Sequence, residues 1–383
     1  MQRVLQRRWC SGYTCRSVKT LLETKPVDQA VQVQGWAKAI RRMKKSVFLD
    51  LNDGSTPDKL QVVVPHKVPP ELMYHSGVRV RGVLRTSSHP QQEVELHADH
   101  VQVVGRVTGD AAYPFAIRGA HSTDYVRQFM HVRARTNSFA STMRLRALTR
   151  AAMSGHLSDA GYVHVDAPVL SGNECEGGGD VFYVVTEAEK SNPEEKFFGS
   201  DAFLSVSGQL HLEALANGLS RVFTINPAFR AEASLGRRHL AEFWMVEAEE
   251  AFLEGEEGLQ TLLERVEDLV QTSLTRVLGS GQQDLVQHWQ LAGGKREVLC
   301  FDLLLPEVGE VAGGSVREPC PLQLRARSPP SQQLQWYVQL REWGGVPTAG
   351  YGLGFERLLL FLTGVQNIRD VIPFPRWPLH CPH

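Results

Sequence analysis

The sequence predicts an α+β protein: a small N-terminal β-barrel, then a larger domain that mixes helices with a strand hairpin. Three observations carry that reading. Short alternating runs follow one another closely between 31 and 107 (VQVQGWA, SVFLDL, KLQVVVP, VRVRGVL, EVELHADHVQVVG), the pattern of strands closing into a barrel. Two segments with apolar residues at helical spacing lie at 138–160 and 258–277. Between them, 223–247 (FTINPAFRAEASLGRRHLAEFWMVE) reads as two strands joined by a charged loop.

A chain of 383 residues has room for two or three domains. Its net charge of −1 gives no global basic field, so contact with nucleic acid would rest on local patches. The six cysteines are scattered without a C-x-x-C pair, which argues against a zinc ribbon and a disulfide framework. No apolar run approaches membrane-spanning length, so no membrane partner is expected.

In chain order, Arg3, Arg7, Arg8, Arg16 and Lys19 all precede the first acid, Glu23. That Arg-rich, acid-poor start fits a mitochondrial presequence over 1–25 and a matrix location, or else a basic tail. The barrel follows over 26–107. Stretch 31–64 holds six Lys/Arg against three Asp, a local positive charge suited to phosphates. Phe48 fits either the barrel core or an exposed surface on which bases stack. Residues 108–137 read as a polar linker before a domain over 138–383. There the helix 138–160 ends at Gly161, a C-cap position, and a strand over 162–170 runs into Pro168.

On the hairpin, alternation puts Phe243, Met245 and Glu247 on one face, with Arg230 and Glu232 across from them. A cationic fork, an aromatic plate and two acids facing one hollow suit a nucleotide together with a small zwitterion. Ser207 and Gln209, on a loop entering a helix, could present donors to a carboxylate, or Ser207 could simply cap the helix. Asp302 and Glu310 flank a strand and turn in a way that suits Mg2+, which takes one or two carboxylates and fills its shell with phosphate and water. The proline-rich 319–330 is not expected to be helical. Gly350-Tyr351-Gly352-Leu353-Gly354 lacks the βαβ setting of a dinucleotide fingerprint.

Taken together, Phe229-Arg230-Ala231-Glu232 with RRHLAEFWMVE, the Gly350–Arg357 run (GYGLGFER) and the Asp370–Arg376 run (DVIPFPR) resemble motifs 2 and 3 and the C-terminal signature of class II aminoacyl-tRNA synthetases. The branch is the aspartate/asparagine one, and EFWMVE looks like its asparaginyl form. The helix, Gly161, strand and proline resemble motif 1, which implies a homodimer. Gly35-Trp36, the basic run Arg41, Arg42, Lys44 and Lys45, then Phe48 and Asp53-Gly54, resemble the branch's OB-fold. The resemblance therefore implies an OB-fold anticodon-binding domain and an antiparallel-sheet catalytic domain flanked by helices.

It also implies roles. Arg230 and Arg357 would be catalytic, holding ATP phosphates; Arg238 and His239 lie on the phosphate side, Glu232 meets the adenine amino group and Phe243 stacks on the ring. Asp302 and Glu310 would carry Mg-ATP. Glu176, Ser207 and Gln209 would hold the amino acid's ammonium and carboxylate, with Glu247 and Arg317 on its side chain. Phe48 and Gln61 would read the anticodon of tRNA(Asn). Aspartyl relatives place a lysine where this chain has Leu212; a substrate carboxylate would there lack a cation, so asparagine fits better. In relatives a long stretch separates the helix 258–277 from the acid-glycine segment, and most of it is missing near 278–300. The alternatives are an aspartyl-tRNA synthetase, a catalytically inactive tRNA- or partner-binding variant, and a class II-like asparagine synthetase, which would not need the barrel.

Overall fold

The computed structural model describes residues 13–65, 68–90, 92–107, 113–115, 121–173, 181–279, 299–327 and 334–381. Two compact units divide the chain, Met1–Ala140 and Ser141–His383.

The first unit is built on β1 (Thr14–Cys15), α1 (Val18–Thr24), β2 (Ala30–Arg42), β3 (Val47–Asn52), β4 (Leu60–Val64), β5 (Gly77–Thr86) and β6 (Val94–Gly105). β2 pairs with both β3 and β5, while β4 pairs with β6 and β6 with β5, so five strands close on themselves. Alternation does the sorting: Val47, Leu49 and Leu51 point inward from β3, Leu60, Val62 and Val64 from β4. The expected OB-type barrel is present.

Two sequence boundaries shift. The stretch assigned to a presequence over 1–25 is, from Thr14 on, part of this unit. β1 pairs with β2, the Val18 N–H donates to Asp53 at 2.9 Å, and Val18 and Leu21 are buried in the barrel core. The supposed polar linker, 108–137, is also packed where it is described. Phe115, Val126 and Met130 are buried, and the rings of Tyr113, Phe115, Tyr125 and Phe129 meet edge to face. A short helix, α2 (Thr123–Arg127), belongs to this cluster. Scattered aromatics pack here without a periodic signal, so the segment reads as polar on composition alone.

The helix α3 (Asn137–Asp159) carries the chain onward, and Gly161 takes the left-handed φ of +84° just past its end. The expected nine-residue strand is reduced to β7 (Val163–His164) and, after Pro168, β8 (Leu170–Ser171). The β7 ladder with β10 ends where the Val165 N–H donates to the Phe223 carbonyl at 2.9 Å. There follow α4 (Glu187–Ser191), β9 (Phe203–Leu204), α5 (Gln209–Leu219), β10 (Arg221–Phe229), β11 (Glu242–Ala251) and α6 (Gly255–Gly279). The rest comprises β12 (Cys300–Leu305), β13 (Gly309–Val316), α7 (Pro321–Arg327), α8 (Gln335–Glu342), β14 (Thr348–Gly354) and α9 (Phe355–Thr363).

The main sheet runs β12-β13-β14-β11-β10-β7, antiparallel throughout except where β7 joins β10 in parallel. Leu145 and Met153 of α3, Leu262, Val266 and Leu269 of α6, and Phe355 and Leu358 of α9 form one buried cluster with Val246, Ala248 and Leu353 of the sheet. The opposite face is left for the site. The proline-rich stretch was expected not to be helical, yet α7 forms: Pro321 occupies its first position, where a missing N–H costs nothing.

Candidate active site

β11 and β14 explain the glycine run. Across the register Glu249 faces Gly350, Glu247 faces Gly352 and Met245 faces Gly354. A Cβ on Gly350 would fall 1.8 Å from the Glu249 carboxylate, and one on Gly352 would fall 2.5 Å from the Met245 methyl. The glycines therefore leave room for side chains from β11, and the cleft lies over them.

One cavity on this face is lined by Arg230, Glu232, Arg238, His239, Phe243, Glu310 and Arg357. The Arg230 N–H bonds the Ala241 carbonyl at 3.0 Å, closing the loop between β10 and β11. Its guanidinium carbon lies 5.5 Å from the Phe243 ring centroid, and its Nη1 is 3.8 Å from Glu232. Arg357, in the first turn of α9, donates to the Glu310 carbonyl at 2.8 Å. Glu356 beside it faces inward. It accepts the Trp244 N–H at 2.8 Å and pairs with Arg146 of α3 at 2.6 Å, while burial pushes its pKa up. Glu356 thus pins α9 to β11 and α3 and leaves Arg357 for the cleft.

A second cavity adjoins the first and shares Arg230, Met245, Glu310 and Gly352 with it. Ser207, Gln209, Leu212, Glu247, Asp302 and Arg317 line it. Asp302 and Glu310 converge: their nearest oxygens lie 3.2 and 3.6 Å from where a Gly313 Cβ would stand. Among the described residues there is no group of three or more candidate metal ligands, so this carboxylate pair over a bare glycine is what a cation would meet.

Glu247 is 4% exposed and occupied. It accepts from the Ser207 hydroxyl at 2.5 Å and from the Gly208 N–H at 3.0 Å, which ties the entry to α5 to the sheet. Arg317 is gripped by Glu249 through two bonds of 3.2 and 3.0 Å, and its Nη1 donates to Ser315 at 2.8 Å. Burial pushes Glu249 up to about 7, although Arg317 opposes the shift. Burial also works against the Arg317 charge, but Glu249 and Glu213 together outweigh it and hold that guanidinium above its ordinary pKa.

The structure thus gathers twelve residues expected of the catalytic domain, from Ser207 to Arg357, about one cleft, while Glu176 lies outside the described residues. Glu249, Glu213, Tyr337 and Arg341 were not singled out in the sequence. The alternation that grouped Phe243, Met245 and Glu247 would have found Glu249 two residues further on. No local signal points to the others.

On the barrel, Phe48 is half-buried on the outer side of β3, alternating with Val47 and Leu49, so it is not core. Its strand neighbours are Arg41 and Val63, and Gln61 stands opposite Asp50. Arg41 donates to both Asp50 and Gln61 at 2.9 Å, and Gln61 in turn donates to Glu95 at 3.1 Å. Phe48 and Gln61 therefore share one outer surface with Arg41.

Residues 122–292 and 285–378 match the model for class II tRNA synthetases (D, K and N), and 31–104 match an OB-fold nucleic acid binding domain. A mouse asparaginyl-tRNA synthetase is 34% identical over 468 aligned residues, covering 98% of this chain and 97% of the relative. An asparagine–tRNA ligase from Microcystis aeruginosa is 34% identical over 94% of this chain and 98% of its own. The Pyrococcus horikoshii asparaginyl-tRNA synthetase complexed with asparaginyl-adenylate superposes with a TM-score of 0.80 at 25% identity, covering 96% of this chain and 99% of that one. With the family model matched over more than half the chain and curated relatives aligned along nearly all of it, the chain belongs to the asparaginyl-tRNA synthetase family of the class II tRNA synthetases.

Proposed function

We propose that this chain ligates asparagine to tRNA(Asn) at the expense of ATP, and that it does so in the mitochondrial matrix. The observation that carries this reading is the junction of the two cavities at Arg230, Met245, Glu310 and Gly352. A nucleotide in the first and an amino acid in the second would meet beside Arg230. The asparagine carboxylate attacks the α-phosphorus of ATP and pyrophosphate leaves; the terminal hydroxyl of the tRNA then attacks the acyl carbon of the adenylate, taking the asparaginyl group as AMP leaves. Arg230 holds the α-phosphate; Arg238, His239 and Arg357 hold the outer phosphates. Phe243 stacks on adenine and Glu232 accepts from its amino group. Asp302 and Glu310 fit Mg2+, which would offset phosphate charge. The protein's part is positioning and charge compensation, and it supplies no covalent group.

Asparagine is favoured over aspartate because Leu212 puts no cation in the second cavity and Arg317 already has Glu249 as its counterion. Ser207, Gln209 and Glu176 take the ammonium and carboxylate, and Glu247 retains lone pairs for a carboxamide N–H. Phe48 and Gln61 read the anticodon. Two copies associate through the motif 1 region, where Val163 and Leu170 are 44% and 46% exposed.

We infer that the chain is a shortened member of its family. The alignment with the mouse relative runs over 468 residues against 383 here, and the family match falls into two pieces that overlap at 285–292. Among the described residues β12 is the edge strand, with Leu304 65% exposed. The difference in length favours a second reading, a form that binds tRNA without charging it.

Amino-acid-dependent pyrophosphate exchange tests the substrate: exchange with asparagine and none with aspartate is expected, and the reverse would reject the reading. Aminoacylation by this chain beside a version with the interval restored then separates the active form from the binding one. Subcellular fractionation tests the matrix location.

A further inference from the structure

Behind the second cavity, Glu213, Tyr337 and Arg341 form a set of groups to which none of the roles above is given. Glu213, one turn into α5, is 0% exposed. It accepts from Gln209 Nε2 at 3.0 Å, from the Tyr337 hydroxyl at 2.7 Å and from Arg341 Nη2 at 2.5 Å. Arg317 Nε is 3.7 Å from its other oxygen. Tyr337 and Arg341 sit four residues apart on α8, hence on one helix face. The Arg341 guanidinium lies 4.0 Å from the Tyr337 ring centroid and donates to its hydroxyl at 2.9 Å.

A carboxylate at this depth is costly unless it is paired and its lone pairs are filled. Here the count closes: Glu213 and Glu249 face Arg317 and Arg341. Two side chains expected at the amino acid, Gln209 and Arg317, are thereby both tied to Glu213, which stands behind the cavity lining. With Arg341 in place, Arg317 remains committed to Glu249 at the cavity wall. Without Arg341, Glu213 would draw Arg317 and Gln209 back from the cavity. We propose that Tyr337 and Arg341, acting through Glu213, are positioning residues that keep the amino-acid subsite electrically balanced and so fit it to an uncharged side chain. The proposal rests on the ligase reading above, and goes beyond it in making α8 a determinant of amino-acid choice.

Charge balance has a signature that mere structural support lacks. Removing a positive member and removing a negative member should move the aspartate-to-asparagine preference in opposite directions. The full chain and its variants would be titrated calorimetrically with the sulfamoyl analogues of asparaginyl-adenylate and aspartyl-adenylate, with thermal melts and ATP affinity as controls. Arg341→Met should weaken the asparaginyl analogue about tenfold and the aspartyl analogue more. Glu213→Gln should shift the ratio toward the aspartyl analogue, again by about tenfold. Arg341→Lys should recover part of the loss, since it restores charge without the fork. Should Glu213→Gln fail to fold, Tyr337→Phe, which removes one donor to Glu213, should shift the ratio the same way as Arg341→Met by a smaller factor. Ratios that stay constant, or move the same way in the Arg341 and Glu213 variants, would overturn the network while leaving the ligase reading intact. A parent chain that binds neither analogue would overturn both.

Discussion

Glu249 and Arg317 share bonds of 3.0 and 3.2 Å, and burial lifts the Glu249 carboxyl to about 7. Protonating it takes away the counterion of Arg317 and leaves the subsite more positive. The sign is therefore fixed: discrimination against aspartate should relax as pH falls through about 7 and tighten as it rises. Relative affinities for asparagine and aspartate across that range would show it, and Glu249→Gln should abolish the dependence. Phe243 offers a simpler test. An aromatic face under a base contributes about 1–3 kcal/mol, so Phe243→Ala should raise KM for ATP by roughly 5- to 150-fold with little change in KM for asparagine. Residues of this kind were readable in the sequence because β11 alternates: Phe243, Met245 and Glu247 fall on one face by spacing alone. Glu213, Tyr337 and Arg341 were not, because their meeting depends on how α8 packs against α5, across 124 and 128 residues of chain.

Elements carry a different kind of information. The glycines of β14 are a weak sequence signal, yet Gly350 and Gly352 are fixed by what β11 inserts into their empty places. Gly350→Ala would push its methyl into Glu249 and the Ala248 carbonyl, the latter 2.6 Å away. Because the backbone must give, we expect a loss of about 1–3 kcal/mol in a urea melt and weaker asparagine binding, with ATP affinity less affected. α9 depends on one buried pair, Arg146 to Glu356, whose carboxylate side chain is 1% exposed. Arg146→Met strands that carboxylate, at a cost of about 3–5 kcal/mol. Since burial raises the Glu356 pKa, the deficit should shrink as pH is lowered and the carboxyl protonates; an equal deficit at all pH values would mean that packing, not charge, is lost. The opposite lesson comes from 319–330. Proline content suggested no helix, but Pro321 at the first position of α7 starts one, so position within the element outweighs composition.

At the scale of the whole molecule, the barrel and the antiparallel sheet were both readable, because repeated short strands and a long motif each constrain many residues at once. The start of the first unit was not. A presequence is recognised by composition, and composition does not distinguish a leader from a basic segment that folds. In the structure Ser17 caps α1 by accepting the Thr20 N–H at 3.1 Å, and Val18 and Leu21 stand among Val31, Leu51 and Leu84 in the barrel core. Removing 1–25 should therefore cost the burial of two aliphatic side chains, about 3–6 kcal/mol, and the Asp53 cap contact with it. Differential scanning calorimetry of that truncation beside the full chain decides the matter. If import removes a leader, cleavage after residue 25 would yield a barrel too weakened to hold Phe48 and Gln61 on one surface, so the matured protein should retain α1. Finding an N-terminus at or beyond residue 26 in protein recovered from mitochondria, with anticodon binding intact, would show that α1 is dispensable and that its packing contributes little.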